Sequence, residues 1–340
     1  MLFAFFNWHP SPHFLASALL LLPVLLLALW LDRTWGEPRA AFHPVVWMGH
    51  YLTACGRITA VCRPLPAFVG GTIAWCAGAL AVGALSWMVQ GLLEAQFVRL
   101  TAVADVQAGV SVLLLLALMA WLLKCMLSWR MLRREVLAVE EALQQSPQAG
   151  RERLSWLVSR DTSQLTESEV RQSAIESLAE NLNDSVVAPV FWFVLLGLPG
   201  AAVYRFANTA DAMWGYRGIY KGQNWKWAGK WAARSDDVLS WVPARLTALL
   251  MWLVSRGFKF AALHREAART PSPNSGWPMA GIALALNVHL SKPGVYTLNE
   301  AGRAPGAADT QLAVGFASKV LHGLLLCATI AIVLIAVTVK

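Results

Sequence analysis

Charge is what this chain is short of. Only 14% of its 340 residues are Asp, Glu, Lys or Arg, against about 25% in an ordinary soluble domain. Hydrophobic residues make up 57%, where about 45 to 50% is usual, so water is not its main solvent. Cysteines are few, odd in number and without CxxC spacing: Cys55, Cys62, Cys76, Cys125 and Cys327. Three lie in or beside apolar runs, which argues against a disulfide framework or a zinc site. No basic stripe carries interleaved aromatics, so the net charge of +8, dispersed over several loops, suits anionic lipid and anionic substrates rather than nucleic acid. The N-terminal apolar run lacks a basic n-region and a small-residue cleavage site, and reads as a retained anchor. There is no internal repeat, which counts against a transporter built from matched halves. In KGQNWKWAGKW the glycine spacing is wrong for a phosphate loop, and Trp231 follows Lys230 where Ser or Thr is required.

Long apolar runs are what the chain has instead. A bilayer core about 30 Å thick needs roughly 20 apolar residues in helical form, and 14–31, 67–93, 106–123 and 320–339 qualify. Two more runs, 186–204 and 238–254, are interrupted by Pro189, Gly197, Pro199, Gly200, Pro243 and Arg245. An arginine at mid-bilayer costs roughly 2.5 to 3.5 kcal/mol, so Arg245 should face protein, water or a ligand. Lys plus Arg number four in 32–66, one in 94–105, eight in 124–185, six in 205–237 and seven in 255–319. If all six runs crossed, the basic 205–237 loop would lie outside, against the positive-inside rule. Treating 186–204 and 238–254 as re-entrant puts every basic-rich loop in the cytoplasm and both termini outside. Non-helical backbone at that depth is tolerated only where protein or a water-filled cavity covers it, so the pair would itself mark a site. The expected fold is an all-α polytopic membrane protein of four to six segments, with one membrane domain over 1–340. Its large cytoplasmic insert, 124–319, far exceeds the roughly 2 to 8 residues that link packed helices and should carry the function.

Within the insert, 124–145 reads as a mixed-charge helix with Arg133, Arg134, Glu140 and Glu141 on a solvated face. Ser146, Pro147 and Gly150 break it, and Thr166 with Glu169 forms a capping box for the next helix. In ESLAENLNDSVVAP, 3.6 residues per turn puts Glu176, Glu180, Asn183 and Asp184 in one quadrant, with Ile175, Leu178, Leu182 and Val186 opposite. An exposed amphipathic face would explain this stripe. The helix runs directly into membrane-depth sequence, however, where unpaired carboxylates are costly, and this favours a hard cation such as Mg²⁺. YRFANTADAMWGYR sets Asn208 and Asp211 three apart, with Arg205 and Arg217 near enough to engage phosphate or carboxylate. WAARSDDVLSWVPARLTALL brings Arg234, Asp236 and Asp237 to the edge of a broken run, and Asp236 is equally readable as a helix N-cap. RTPSPNSGWPMAG, with Pro271, Pro273, Asn274, Gly276 and Pro278, reads as a rigid non-helical loop, either a ligand-binding loop or a connector. LDRTWGEPRAAFHPVVWMGH places Asp32, Glu37 and His43 just past the first span, where His43 beside Pro44 reads as packing.

Six strings in order, LDRTWGEP with HPVVWMG, SRDTSQL, AIESLAENLNDSVVAPVFW, NTADAMWGYR, AARSDDVLSWVPARLTALL and RTPSPNSGWPMAG, cover nearly the whole chain. In them the sequence resembles the adenosylcobinamide-phosphate synthase family, the CbiB/CobD type of cobalamin biosynthesis protein. The resemblance implies a multi-pass enzyme of the bacterial inner membrane with its active site facing the cytoplasm. Such an enzyme joins a carboxylate of adenosylcobyric acid to aminopropanol or its O-phosphate as an amide, with ATP and Mg²⁺. On that basis Glu176, Glu180, Asp184 and Asp211 are expected to hold Mg²⁺, and Arg205, Arg217 and Arg234 to bind phosphate. Asn208 and Arg245 join the substrate-binding set, and Asp236 or Asp237 is expected as general base, with Glu180 and Asp184 also counted catalytic. Asn274 and Ser275 are expected to contact corrin amides. Besides the lipid bilayer, the resemblance implies the membrane-bound cobalamin synthase as a partner. A corrinoid or anion transporter is the rival reading. A membrane signalling protein of a distantly related family is another, disfavoured by the presence of ESLAEN, SDD and PNSGWP.

Overall fold

The computed structural model describes residues 12–102, 105–255 and 258–338. Along the chain run α1 (Pro12–Trp35), α2 (Pro44–Thr59), α3 (Pro64–Thr101), α4 (Val106–Lys124), α5 (Trp129–Gln145), α6 (Pro147–Leu154), α7 (Glu167–Leu182) and α8 (Ala188–Trp214). A ribbon of β1 (Ile219–Tyr220) and β2 (Gln223–Asn224) follows, then α9 (Trp225–Ala228), α10 (Lys230–Leu239), α11 (Trp241–Val254), α12 (Phe260–Ala267) and α13 (Gly276–Leu286). A second ribbon, β3 (Leu290–Lys292) and β4 (Tyr296–Leu298), precedes α14 (Ala307–Thr338). Apart from these two antiparallel ribbons and one isolated bridge, the described residues contain no sheet, as the all-α expectation requires.

Among the described residues, four helices are long and apolar enough to cross a membrane: Pro64–Leu100, Val106–Lys124, Glu167–Trp214 and Ala307–Val337. The pair Lys230–Leu239 and Trp241–Val254, broken at Ser240, would make a fifth. The predicted runs 67–93 and 106–123 fall in α3 and α4, 14–31 in α1, and 320–339 in α14, except for Val339, which lies outside the described residues. The chain divides into two compact units. Met1–Ser128, Ala188–Leu239 and Cys327–Lys340 make the first, and Trp129–Val187 with Ser240–Leu326 the second, so the predicted insert 124–319 is shared between them.

In the first unit α3 is the central element, lying along α8 and touching α2, α4, α9 and α10. Helix and backbone meet closely at Gly71, where a Cβ would stand 2.1 Å from the carbonyl oxygen of Ala228. Leu25, Leu52, Leu123, Tyr204, Phe206 and Trp214 fill the core. The interrupted run 186–204 has a physical explanation at Gly197, whose φ of 69° and ψ of −156° break α8 into two helical pieces. That region of backbone space is open essentially to glycine alone. The break frees backbone donors in an apolar helix, and these need partners within the protein. One of them, the Leu198 N–H, donates to Gln90 Oε1 at 2.7 Å, while Gln90 Nε2 donates to Glu94 Oε1 at 2.8 Å.

In the second unit α7 is the central element, packed against α5, α6, α13 and β3. Its residues Gln172 to Ala179 are all buried, and the predicted capping box is present, with Thr166 Oγ1 accepting from Glu169 N and Glu169 answering to Thr166 N. Three expectations are corrected here. The mixed-charge helix begins at Trp129 rather than Lys124, and Glu140 is not on a solvated face: it is 3% exposed. Arg171 clamps Glu140 through Nε and Nη2, at 2.9 Å to Oε2 and 3.0 Å to Oε1 respectively, and Thr310 Oγ1 donates to it at 3.1 Å. The RTPSPNSGWPMAG segment is non-helical only up to Ser275. At Gly276 α13 starts, and Pro278 sits in its first turn, where a missing N–H costs nothing.

Candidate functional site

The second unit holds a pocket of about 180 Å³ whose working walls are Arg160, Glu176, Glu180, Asn181, Lys292 and Tyr296. Each wall has a local cause. Glu176 and Glu180 are one helical turn apart on α7, with Glu176 6% exposed and Glu180 open to solvent. Arg160 comes from the SRDTSQL loop, which is pinned at three points. Asp161 Oδ1 accepts from Ser163 N at 2.9 Å, Thr162 Oγ1 donates to Arg151 O at 3.0 Å, and Arg151 Nε donates to Leu165 O at 2.6 Å. Lys292 and Tyr296 are directly opposed in the β3–β4 register and so share one face of the ribbon. Between them Pro293 and Gly294 (φ 73°) form a turn closed by Val295 N donating to Lys292 O at 2.9 Å. The ribbon is tied to α7 by Gln172, whose Oε1 accepts from Ser291 N at 2.9 Å and Ser291 Oγ at 2.6 Å.

At the pocket floor Arg160 Nη2 lies 3.6 Å from Glu176 Oε2 and donates to Ser173 Oγ. The other ends of this pair, Arg160 Nη1 and Glu176 Oε1, are buried without a hydrogen-bond partner. Tyr296 donates to Met279 Sδ at 3.7 Å. Burial, and then the negative charge of Glu176, hold its phenol above the usual range. The pocket is therefore a small polar hollow with cationic and anionic groups facing the same space.

The remaining predicted residues of the second unit do not line it. Asp184 lies in the π-helical turn Asn183–Val187 and accepts from Asn183 Nδ2 at 2.8 Å, while Asn183 Oδ1 accepts from Thr247 Oγ1 at 3.0 Å. Arg245 faces protein, sandwiched over Trp241 at 4.2 Å and Trp277 at 4.8 Å. It donates to Asn274 Oδ1 at 3.0 Å, Trp241 O at 2.7 Å and Pro273 O at 3.3 Å, so it holds the proline-rich loop in place. Asn274 is buried, and the Ser275 N–H is taken by Ser272 Oγ at 3.2 Å.

Arg205, Asn208, Asp211, Arg217, Arg234, Asp236 and Asp237 belong to the first unit. Asp236 lies inside α10 with Oδ1 3.4 Å from Asn208 Nδ2, which overturns its reading as an N-cap; Ser240 occupies that position for α11. Arg234 pairs with Asp237 at 3.9 Å, and Asp211 O accepts from Gly215 N at 2.7 Å. His43 caps α2, its Nδ1 accepting from Val45 N at 3.3 Å. Its Nε2 meets Glu37 Oε2 at 3.0 Å, and the buried Lys124 Nζ reaches the same oxygen at 2.9 Å. Burial, the largest single influence, raises the Glu37 carboxyl, but the His43 and Lys124 contacts together outweigh it and hold it below its ordinary value.

Among the described residues no three His, Cys, Asp or Glu side chains gather as a metal site. The expected set of Glu176, Glu180, Asp184 and Asp211 thus does not fit an ion caged by the protein: only the first two share a pocket, and Arg160 occupies one oxygen of Glu176. Arg160, Lys292 and Tyr296 were missed as site residues. SRDTSQL offered a signal for the first; the other two had none beyond a Pro-Gly turn.

Fold and pocket together define a polytopic helical membrane protein with a compact, charge-lined polar site on one of its units. The model of the family described as CobD/Cbib protein matches residues 25–335, and the chain belongs to that family. It is 40% identical over 284 residues, 82% of this chain and 86% of the relative, to a probable cobalamin biosynthesis protein CobD of Methanothermobacter thermautotrophicus. The cobalamin biosynthesis protein CobD of Chromobacterium violaceum is 40% identical over 276 residues, 81% of each chain, and that of Yersinia enterocolitica 32% over 323 residues, 92% of this chain and 96% of the relative. No solved structure matches the chain significantly.

Proposed function

We propose that the chain acts in cobalamin biosynthesis by joining the free carboxylate of adenosylcobyric acid to the amine of aminopropanol or its O-phosphate, with ATP driving the amide bond. The setting is the bacterial inner membrane, with the basic loops in the cytoplasm. The observation that carries this reading is the pocket floor, where the buried Glu176 and the half-buried Arg160 face the same space beside Glu180 and Lys292. A carboxylate is a poor acyl donor, so phosphoryl transfer from ATP first converts it to an acyl phosphate with release of ADP. Attack by the amine nitrogen then forms the C–N bond, expels phosphate and leaves one proton to be removed. Glu180 is open to solvent in the same pocket and is suited to take that proton. Magnesium would enter on the nucleotide phosphates, with water completing its shell.

Detergent-purified protein incubated with adenosylcobyric acid, aminopropanol phosphate, Mg²⁺ and ATP should yield a corrinoid heavier by one amide-linked aminopropanol phosphate, and only with nucleotide. No mass gain with any nucleotide, from folded protein, would refute the ligase reading.

A further inference from the structure

Away from the pocket at Arg160 and Glu176, the second unit has a larger hollow that the proposed chemistry leaves unused. About 340 Å³ in volume, it lies between α5 and α14, bordered by Arg133, Glu141 and Gln144 on one side and Gln311, Gly315 and Ser318 on the other. Thr310 Oγ1 donates to Glu140 Oε2 at 3.1 Å and so pins the start of α14 to the C-terminal half of α5. From that pin Arg133 lies about 10 Å back along α5 and Ser318 about 12 Å forward along α14. Both border the same hollow, so the helices run antiparallel and Arg133 and Ser318 share one end of it. Two features of the chain set that end at the bilayer. Residues 320–337, just beyond Ser318, hold no Asp, Glu, Lys or Arg and form the apolar part of a candidate span. Arg133 itself stands nine residues after the end of another, Val106–Lys124.

The hollow is charged without favouring either sign. Glu140, which also lines it, is already neutralised by Arg171. Arg133 and Glu141 are exposed, and among the described residues neither is in a salt bridge. A purely anionic headgroup on Arg133 would face Glu141, and a bare cation on Glu141 would face Arg133. A headgroup holding both a phosphate and an amine meets both. The volume is at the low end of the roughly 300 to 1,000 Å³ of small-molecule sites, enough for a headgroup and its glycerol but not for acyl chains, which leave through the bilayer end. Gly315 keeps the groove open, since an added Cβ there would meet no atom within 4 Å.

We propose that the groove between α5 and α14 is a binding site for a phospholipid with a primary-amine headgroup, phosphatidylethanolamine in its chemistry. The phosphodiester lies against Arg133 at the bilayer end and the ammonium against Glu141. The site shares no residue with the pocket of the ligase reading and stands independently of it.

The test is native mass spectrometry of the full-length protein in detergent, after exchange with phosphatidylethanolamine, phosphatidylcholine and phosphatidylglycerol of matched acyl chains. One equivalent of phosphatidylethanolamine should be retained about tenfold more strongly than either competitor, because phosphatidylcholine has no N–H for Glu141 and phosphatidylglycerol has no cation. Arg133→Gln should weaken all three lipids, and Glu141→Gln should erase only the preference for ethanolamine. Gly315→Leu grows a side chain into the groove from a position where its Cβ meets no neighbour and improves helix propensity. It should melt with the wild type and lose the retained equivalent; should it melt early, the two charge variants at exposed positions decide alone. The proposal falls if the three lipids are retained equally, if a folded Gly315→Leu keeps its phosphatidylethanolamine, or if both charge variants bind as the wild type does. Free phosphoethanolamine at millimolar concentration should not displace the lipid. Displacement would mark a site for soluble phosphates and overturn the lipid assignment.

Discussion

Replacing Glu140 by Gln is the sharpest test of how the second unit is held together. The carboxylate lies between α5 and two distant partners, Arg171 on α7 and Thr310 on α14, and all its contacts fall between 2.9 and 3.2 Å. An amide keeps the volume and one acceptor but leaves the Arg171 guanidinium facing no full charge in a site only 3% exposed on the glutamate side. Breaking one side of a buried pair typically costs about 3 to 5 kcal/mol, and Arg171 retains only the 3.6 Å contact with the exposed Glu167 as compensation. At roughly 2 °C per kcal/mol for a chain of this size, the melting temperature in detergent should fall by about 6 to 10 °C. Replacing both partners at once, Glu140→Met with Arg171→Met, should recover most of that loss, because well-packed apolar groups of similar volume often match or exceed a buried ion pair. A single variant that melts with the wild type, or a double variant that melts below the single, would refute the reasoning.

Gly197→Ala should destabilise by about 1 to 3 kcal/mol from backbone strain alone. Its Cβ would also lie 2.5 Å from Gln90 Oε1, so combining it with Gln90→Ala should give less than the sum of the two melting-temperature losses; strict additivity would contradict the cap. Glu37 gives a pH signature. Its folded-state value is depressed below 4.5, so its stabilisation is full above that pH and disappears as pH falls through the folded value. Glu37→Gln should therefore flatten the melting curve against pH below about 4.5, and a variant with the wild-type acid slope would remove Glu37 as its source. Glu180→Gln should fold normally, and if Glu180 is the base its turnover should drop by about 10²- to 10⁴-fold; full activity would exclude the role.

Features decided by composition or by local spacing were legible in the sequence. Apolar runs located α3, α4 and most of α14, Thr166 and Glu169 announced their capping box, and the i, i+4 spacing placed Glu176 and Glu180 in a shared pocket. What stayed hidden depends on partners far along the chain. Glu140 is buried because residues 31 and 170 positions away reach it, and helix periodicity carries no such information. Lys292 and Tyr296 lie on a ribbon that Ser291 ties to Gln172 of α7, 119 residues earlier. Asp236 was ambiguous because an N-cap and a helix-interior acid differ only in where the helix breaks, and Ser240 sets that break.

Gln90 has a further consequence, for biogenesis. It sits in a largely apolar helix, and the backbone group it satisfies, Leu198 N–H, is made 108 residues later. At about 5 to 20 residues per second, α3 is synthesised some 5 to 20 s before that partner exists. During that interval Gln90 has only its neighbour Glu94, four residues on in the same helix, to satisfy its amide. The Gln90–Glu94 hydrogen bond is thus a local holding arrangement for a polar side chain awaiting its partner, and substituting Glu94 should reduce the yield of inserted protein more than the stability of what is finished.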